Sequence, residues 1–380
     1  MKHELILDNA RVILSDEVID GHVVVRDGAI AAIDTGRCRS PAARDLDGDF
    51  LTPGLVDVHT DNAELHLVPR PGVRWPTRPG VLAHDAAIAT AGITTVLDAI
   101  ACGSDYGKEW RKDIAQETIT GISELQSSGH FRADHLLHLR CEIVAEDMTE
   151  SLTQTIDNPL VRLISIMDHT PGARQFVDID KFRIYYKGKH GLNDRQVDDM
   201  ISTRQQLQTR IAAKQRQLVA DMCHARGITL ATHDDATSEH VEEAVQFGAT
   251  MCEFPTTVEA ARAARKHGLA TIMGGPNMVR GGSHSGNVSA RELAENGLLD
   301  MLTSDYIPAS LMQAAWLLHT QSGFTVPEAF DVVAGQPARA LGLNDRGVIE
   351  TGRRADLVRI HRSEHGPVVR RVWRQGLEVA

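Results

Sequence analysis

The stretch Phe50-Leu-Thr-Pro-Gly-Leu-Val-Asp-Val-His-Thr-Asp61 decides how the rest of the chain is read. Pro53-Gly54 marks a turn, and Gly54 to Val58 reads as a buried strand that ends abruptly in His59, Thr60 and Asp61. Side chains two apart on a strand share a face, so His59 and Asp61 can chelate one cation. Beyond this point apolar runs alternate with helical stretches, the pattern of parallel βα units. The further strand candidates are Ile93 to Ala99, Leu136 to Val144, Val161 to Met167, Ile228 to Thr232, Thr250 to Glu253, Ala270 to Met273 and Asp300 to Thr303. With Gly54 to Val58 they make eight, the number that closes a barrel.

Outside this region the texture is that of short strands. Before it lie Glu4 to Leu7, Arg11 to Leu14, His22 to Arg26 and Ala29 to Asp34, with Asp27-Gly28 as a hairpin turn. After about Gly342 come Gly347 to Ile349, Asp356 to Ile360 and Val368 to Trp373. The expected fold is therefore α/β: a (β/α)8 TIM-like barrel over residues 53–341, with residues 1–52 and 342–380 joining in one small β-sandwich domain. The longest helical pattern runs from about Asp194 to Ala225, with Met200, Leu207, Ile211, Leu218 and Met222 near helical spacing and Gly227 closing it. A shorter one, Ser238 to Phe247, starts at Thr237 or Ser238 as N-cap and stops at Gly248.

Length and composition agree with one barrel plus an appendage. The 380 residues exceed the roughly 250 of a plain barrel, and 42% hydrophobic with 24% charged residues is ordinary for a globular chain. A net charge of -11 opposes nucleic acid and anionic membrane surfaces, so an anionic substrate must be met by a local basic patch. No apolar run approaches the roughly 20 residues of a membrane span. Charge in Met1-Lys-His-Glu4 precedes any signal-peptide core, and a cytoplasmic protein is expected. The five cysteines are scattered without a CxxC pair, which reads as reduced thiols rather than a thiolate zinc site.

In barrels of this kind the chemistry sits at the C-terminal ends of the strands. Those ends read His59-Thr60-Asp61, Asp98, Glu142, Asp168-His169, His233-Asp234-Asp235, Glu253, Asn277 and Asp305. Any one of the 18 histidines taken alone is more often a surface or hydrogen-bonded core residue than a ligand. Together, however, so many charges in a barrel mouth would be costly without a cation. Anion binding has its own candidates. Arg280-Gly-Gly-Ser-His-Ser-Gly-Asn287 offers a guanidinium, backbone N–H groups and the side chains of Ser283, His284 and Asn287 in one stretch. Lys187 and Lys189 follow a strand-like Phe182 to Tyr186, and Arg70, Arg74 and Arg78 stand among prolines after the first barrel strand.

The approach Phe50 to His59, and the segment Gly347-Val-Ile-Glu-Thr-Gly-Arg-Arg-Ala-Asp-Leu-Val358, resemble the amidohydrolase superfamily along essentially the whole chain. The resemblance implies a divalent cation held by His59 and Asp61 at the first strand, His233 at the fifth and Asp305 at the eighth, with a bridging carboxylate from a middle strand. Glu142 is favoured for the bridge over Asp168 or His169, and His169 stays in the ligand set. Asp61 replaces the superfamily's second histidine, and Glu253 stands where a histidine usually ends strand six. Zinc remains the first choice, but these harder oxygen donors also suit manganese, iron or magnesium.

The motifs His59-Thr-Asp-Asn62, Arg140-Cys-Glu142, Met167-Asp-His-Thr-Pro-Gly172, His233-Asp-Asp-Ala-Thr237, Glu253-Phe-Pro-Thr-Thr257 and Ser304-Asp-Tyr306, with the Arg280 to Asn287 loop, are similar to the triphosphate diphosphatases of bacterial phosphonate breakdown. That likeness implies a phosphorylated sugar substrate, a ribosyl triphosphate cut between its α and β phosphorus atoms into the 5-phosphate and pyrophosphate. Asp305 would take a proton from the attacking water, and Lys187, Arg280, Ser283, His284 and Asn287 would hold the phosphates. A homo-oligomer is compatible with this reading. The rivals are a carbon-nitrogen hydrolase of dihydroorotase or deacylase type, and a barrel that has lost catalysis.

Overall fold

The computed structural model describes residues 4–104, 110–174, 179–190, 192–283 and 286–380. The N-terminal segment forms β1 (Glu4–Ile13), β2 (Val18–Arg26), β3 (Ala29–Thr35), β4 (Arg44–Asp45) and β5 (Phe50–Pro53). The expected strands Glu4 to Leu7 and Arg11 to Leu14 are one strand, β1, interrupted by a bulge between Leu7 and Ala10 where Asn9 takes φ 57°. Asp27 (φ 51°) and Gly28 (φ 84°) make the hairpin turn between β2 and β3.

The next eight strands are β6 (Leu55–Thr60), β7 (Ile93–Cys102), β8 (Asp134–Glu142), β9 (Val161–Met167), β10 (Thr229–His233), β11 (Met251–Glu253), β12 (Ala270–Gly274) and β13 (Met301–Thr303). They pair in parallel in sequence order, with helices in the connections. At the seam the chain closes through backbone bonds at the mouth, Asp305 N to His59 O and Asp61 N to Asp305 O, each 3.0 Å. Lower down the gap is filled by another segment, for Val56 N bonds Val333 O and Leu302 N bonds Val332 O. Inward residues Val56, Val58, Leu97, Leu163, Ala231, Met251, Ile272 and Met301 fill the barrel interior. On most strands one face feeds this interior and the mouth while the other packs on the helices; on β6, whose register shifts between Asp57 and Thr60, Val56 and Val58 fill the interior and His59 reaches the mouth.

The chain returns as β14 (Leu357–Ser363), β15 (Gly366–Arg374) and β16 (Leu377–Glu378). β14 pairs antiparallel with β5, so both ends of the chain share one sheet ordered β16-β15-β14-β5-β1-β2-β3, with β4 beside β1. Leu7, Val12, Val25, Leu51, Leu357 and Trp373 form its core. The expected strand Gly347 to Ile349 is irregular: Gly347 takes φ 85°, and an added Cβ would lie 2.6 Å from Ala334 O, so close approach of the backbone breaks extension there.

Two other expectations are corrected. Phe182 to Tyr186 is not strand-like but lies in the helix Ile179–His190, whose Phe182 packs with Val197, Met200 and Ile201. Asp98 does not end its strand, because β7 runs on to Cys102, and with Leu97 inside, Asp98 faces the helices. The long helical pattern is realised as Asp194–Leu207 and Ala213–Arg226 joined by a π turn at Gln208–Ala212, with Gly227 (φ 64°) as its left-handed cap. Thr237 caps the helix Ser238–Gln246, and Gly248 follows it at φ 78°. All five cysteines are free, and no helix among the described residues is long and apolar enough to cross a membrane.

Candidate metal centre and anion cavity

The mouth of the barrel holds a cavity of about 590 Å³. His59 enters it from the end of β6, His233 from the end of β10, and Asp61, Asp234 and Asp305 from the turns that follow strands. Three residues that turn the chain out of its strands at the mouth are left-handed without being glycine: Asp234 (φ 58°), Phe254 (φ 53°) and Asp305 (φ 55°). The strain of this conformation, greatest for the bulky Phe254, re-aims the chain directly after the functional side chains.

One group of donors comprises His59, Asp61 and Asp305, whose ligand atoms lie within 4.8 Å of one another. A second comprises His169, His233 and Asp234, again within 4.8 Å. Glu253, fully buried at the end of β11, stands between them: Oε1 is 2.7 Å from His59 Nδ1 and Oε2 is 3.7 Å from His233 Nε2. Glu142 lies on the far side, 2.5 Å from His169 Nδ1, and Asp168 turns to Gln208 at 2.8 Å and Arg216 at 3.8 Å.

Electrostatics follow from this crowding. Burial works against a charged imidazole at His59, but the Glu253 carboxylate outweighs it and raises the pKa. At His169 the same contest, with Glu142 and Asp234 as the charges, lifts the pKa to about 10. Burial and the Asp61 carboxylate push Asp305 up to about 7. His138, beneath His59, bonds Val58 O and Ser165 Oγ, and burial holds it neutral with a pKa of about 3. It is a satisfied interior histidine.

The donor set fits a divalent cation on structural grounds. Among the described residues, buried His233 Nδ1, Asp234 Oδ2 and Glu253 Oε2 complete no well-directed hydrogen bond, although the first two lie 2.9 Å apart, an expensive arrangement for polar atoms unless something charged joins them. Mixed imidazole and carboxylate donors are the chemistry such cations take.

Cationic groups line the other walls. Arg140 rises from β8 with Nη1 3.6 Å from Asp61 and Nη2 3.5 Å from His233, Arg111 bonds Glu64 at 2.7 Å, and Arg280 ends the helix Gly275–Arg280. Ser283 and Asn287 line the same cavity. His284 and the side chain of Lys189 lie outside the described residues. Lys187 is on the helix Ile179–His190, paired with Asp194 at 2.6 Å, and does not line the cavity. Arg70, Arg74 and Arg78 do not line it either, and Arg78 pairs with Glu124.

The structure thus gathers His59, Asp61, His233, Asp305, Arg280, Ser283 and Asn287 around one space, with His169 and Glu142 beside it. Sequence reasoning named Glu253 and Asp234 among the strand ends but left both out of the ligand set, and it noticed Arg140 only as part of a motif. Alternation carried the missing signal: Leu136, His138, Arg140 and Glu142 share the inward face of β8, and Met251 and Glu253 that of β11.

A family model described as amidohydrolase matches residues 187–377. Over 377 residues the chain is 46% identical to the alpha-D-ribose 1-methylphosphonate 5-triphosphate diphosphatase of Escherichia coli (strain K12), covering 99% of this chain and 100% of that one. It is 25% identical over 410 residues to the imidazolonepropionase of Deinococcus deserti, covering 95% of this chain and 92% of that one. Among solved structures, N-acetylglucosamine-6-phosphate deacetylase from Pasteurella multocida superposes with a TM-score of 0.65 at 13% identity over 99% of both chains, a likeness of fold alone. By fold, donor arrangement and these matches, the chain belongs to the amidohydrolase family.

Proposed function

We propose that this protein hydrolyses α-D-ribose 1-methylphosphonate 5-triphosphate between its α and β phosphorus atoms, giving the 5-phosphate and pyrophosphate in phosphonate catabolism. The observation that carries it is the meeting of a cation's donor set with three guanidiniums, Arg111, Arg140 and Arg280, in one cavity of a chain whose net charge is -11. A triphosphate needs such a concentration of positive charge, whereas an amide does not. The full-length relative carries the same activity in its name.

A divalent cation bound by His59, Asp61, His233, Asp305 and Glu253, zinc first and manganese, iron or magnesium next, would act as a Lewis acid and make water nucleophilic near neutral pH. Asp305 takes the proton as water oxygen bonds the α-phosphorus and the bond to the bridging oxygen breaks. Arg280, Ser283 and Asn287 hold the leaving pyrophosphate. Glu253 takes the position between the two donor groups because its two carboxylate oxygens face His59 at 2.7 Å and His233 at 3.7 Å. We place the enzyme in the cytoplasm, in keeping with five free cysteines.

The test is pyrophosphate release by the cation-loaded protein, with dihydroorotate and an N-acyl amino acid run in parallel. Release from the triphosphate and none from the amides is expected. Turnover of an amide alone would transfer the protein to the carbon-nitrogen hydrolases.

A further inference from the structure

We propose that Arg140 is a catalytic residue whose guanidinium holds the non-bridging oxygens of the attacked α-phosphoryl group, while Arg280 holds the departing pyrophosphate. This assignment rests on the diphosphatase reading and divides its positive charge into two jobs.

Arg140 differs from the other largely buried arginines in having no close partner among the described residues. Arg174 is tied to Asp235 and Glu243, and Arg354 to Asp134 at 2.6 Å and Asp356 at 2.7 Å. Those are structural ion pairs. Arg140 has only 13% of its side chain exposed, yet its nearest carboxylate oxygen among the described residues, on Asp61, is 3.6 Å away. Its contact with His233 is at 3.5 Å, the outer limit of a hydrogen bond, and its buried Nε has no hydrogen-bond partner among the described residues. A guanidinium has five donors in a rigid fork, and leaving them unsatisfied in a buried site is costly. An anion with two oxygens presented side by side would satisfy them, and phosphoryl oxygens match that fork.

Position settles which phosphoryl group. Arg140 stands on the strand floor beside Asp61 and His233, where the donors converge, so its N–H groups face the reacting phosphorus. Arg280 is exposed, the last residue of the helix that follows β12, before Gly281 (φ 78°), and lines the same cavity. Donors fixed on a strand at the reacting centre stabilise charge that grows on the equatorial oxygens as the bridging bond breaks. Donors on the loop bind the part of the substrate that leaves.

The experiment compares Arg140→Ala, Arg140→Lys and Arg280→Ala on the 5-triphosphate and on the corresponding 5-diphosphate, whose leaving group is phosphate. Bound metal and melting temperature are measured on each variant. Arg140→Ala should lose about a hundredfold or more in kcat on both substrates, the scale of removing one fixed donor to a developing oxyanion. Its KM should change less than kcat, its metal content should equal wild type, and millimolar guanidine should restore part of the rate. Arg140→Lys, which keeps charge but not the fork, should remain at least tenfold slow. Arg280→Ala should raise KM about tenfold or more on the triphosphate and much less on the diphosphate. Loss of bound metal in both Arg140 variants, an unchanged kcat, or no rescue by guanidine in a folded, metal-replete Arg140→Ala would overturn the assignment. A wild-type protein inert on both substrates would instead sink the diphosphatase reading beneath it.

Discussion

Glu253 Oε1 lies 2.7 Å from His59 Nδ1, joining the sixth barrel strand to the first across 194 residues of sequence. Both side chains are essentially excluded from water, and the second Glu253 oxygen is turned to His233. This contact fixes which way the His59 ring faces and couples the two donor groups. Glu253→Gln keeps the shape and removes the charge. It should weaken cation binding by at least tenfold, whereas Glu142→Gln, which loosens only His169, should weaken it less. Titration of metal into chelator-treated variants reads this directly. Equal effects of the two changes would remove Glu253 from its central place.

His59→Ala should abolish both bound cation and turnover, because it takes a donor and the partner of Glu253 away together. Elemental analysis of protein purified without chelator provides the measurement. Full occupancy with normal turnover would refute the donor set.

Neighbouring carboxylates after β10 should behave in opposite ways. Asp234 faces His233 and His169, while Asp235 turns outward to Arg174 and Thr232. Asp234→Asn should reduce activity with little change in melting temperature. Asp235→Asn breaks a buried ion pair and should cost about 3 kcal/mol or more of stability with the cation site intact. Thermal melts and metal content on both variants separate the cases.

That contrast shows how far sequence carried the site. The eight strands were legible because each is a compact apolar run, and His59, His233 and Asp305 because they follow such runs abruptly. Side-chain direction was harder, since it depends on where a strand stops and on its register: β7 continues four residues past Asp98, and with Leu97 on the inward face alternation turns Asp98, a supposed ligand, outward. Glu253 was named as a strand end and as an oxygen donor in place of histidine, but its partners His59 and His233 are too distant in sequence to show that it stands between them. The phosphate-binding role expected for Lys187 rested on reading Phe182 to Tyr186 as extended, but Phe182 is anchored by helical packing. Glu4 to Leu14 was split because the bulge at Asn9 interrupts the alternation within a single strand.

The outward Asp98 belongs to a buried chain. His84 Nε2 and His135 Nδ1 each lie 2.7 Å from one of its oxygens, His135 Nε2 is 3.4 Å from Asp85, and Asn62, beside Asp61, is 2.9 Å from His84 Nδ1. Burial opposes charge on His135, but Asp98 and Asp85 prevail and lift its pKa to about 9 from 6.5. A raised pKa gives stability that is complete below about pH 6.5 and lost as pH rises through about 9. Asp98 is depressed below 3.8, so its share is present above that value and lost on acidification. The His135 share is about 3 kcal/mol by the size of the shift. Urea midpoints should therefore fall between pH 6.5 and pH 10 in wild type and fall less in His135→Gln. Parallel curves for the two proteins would show that His135 is not charged in the folded state.

The most direct measurement is a phosphorus NMR time course with α-D-ribose 1-methylphosphonate 5-triphosphate, the cation-loaded protein and water enriched in oxygen-18. One pyrophosphate should form for each sugar 5-phosphate, with the heavy oxygen on the sugar phosphate, as attack on the α-phosphorus requires. Stepwise release of inorganic phosphate, heavy oxygen in the pyrophosphate, or no reaction of the triphosphate while dihydroorotate is opened, would contradict the assignment.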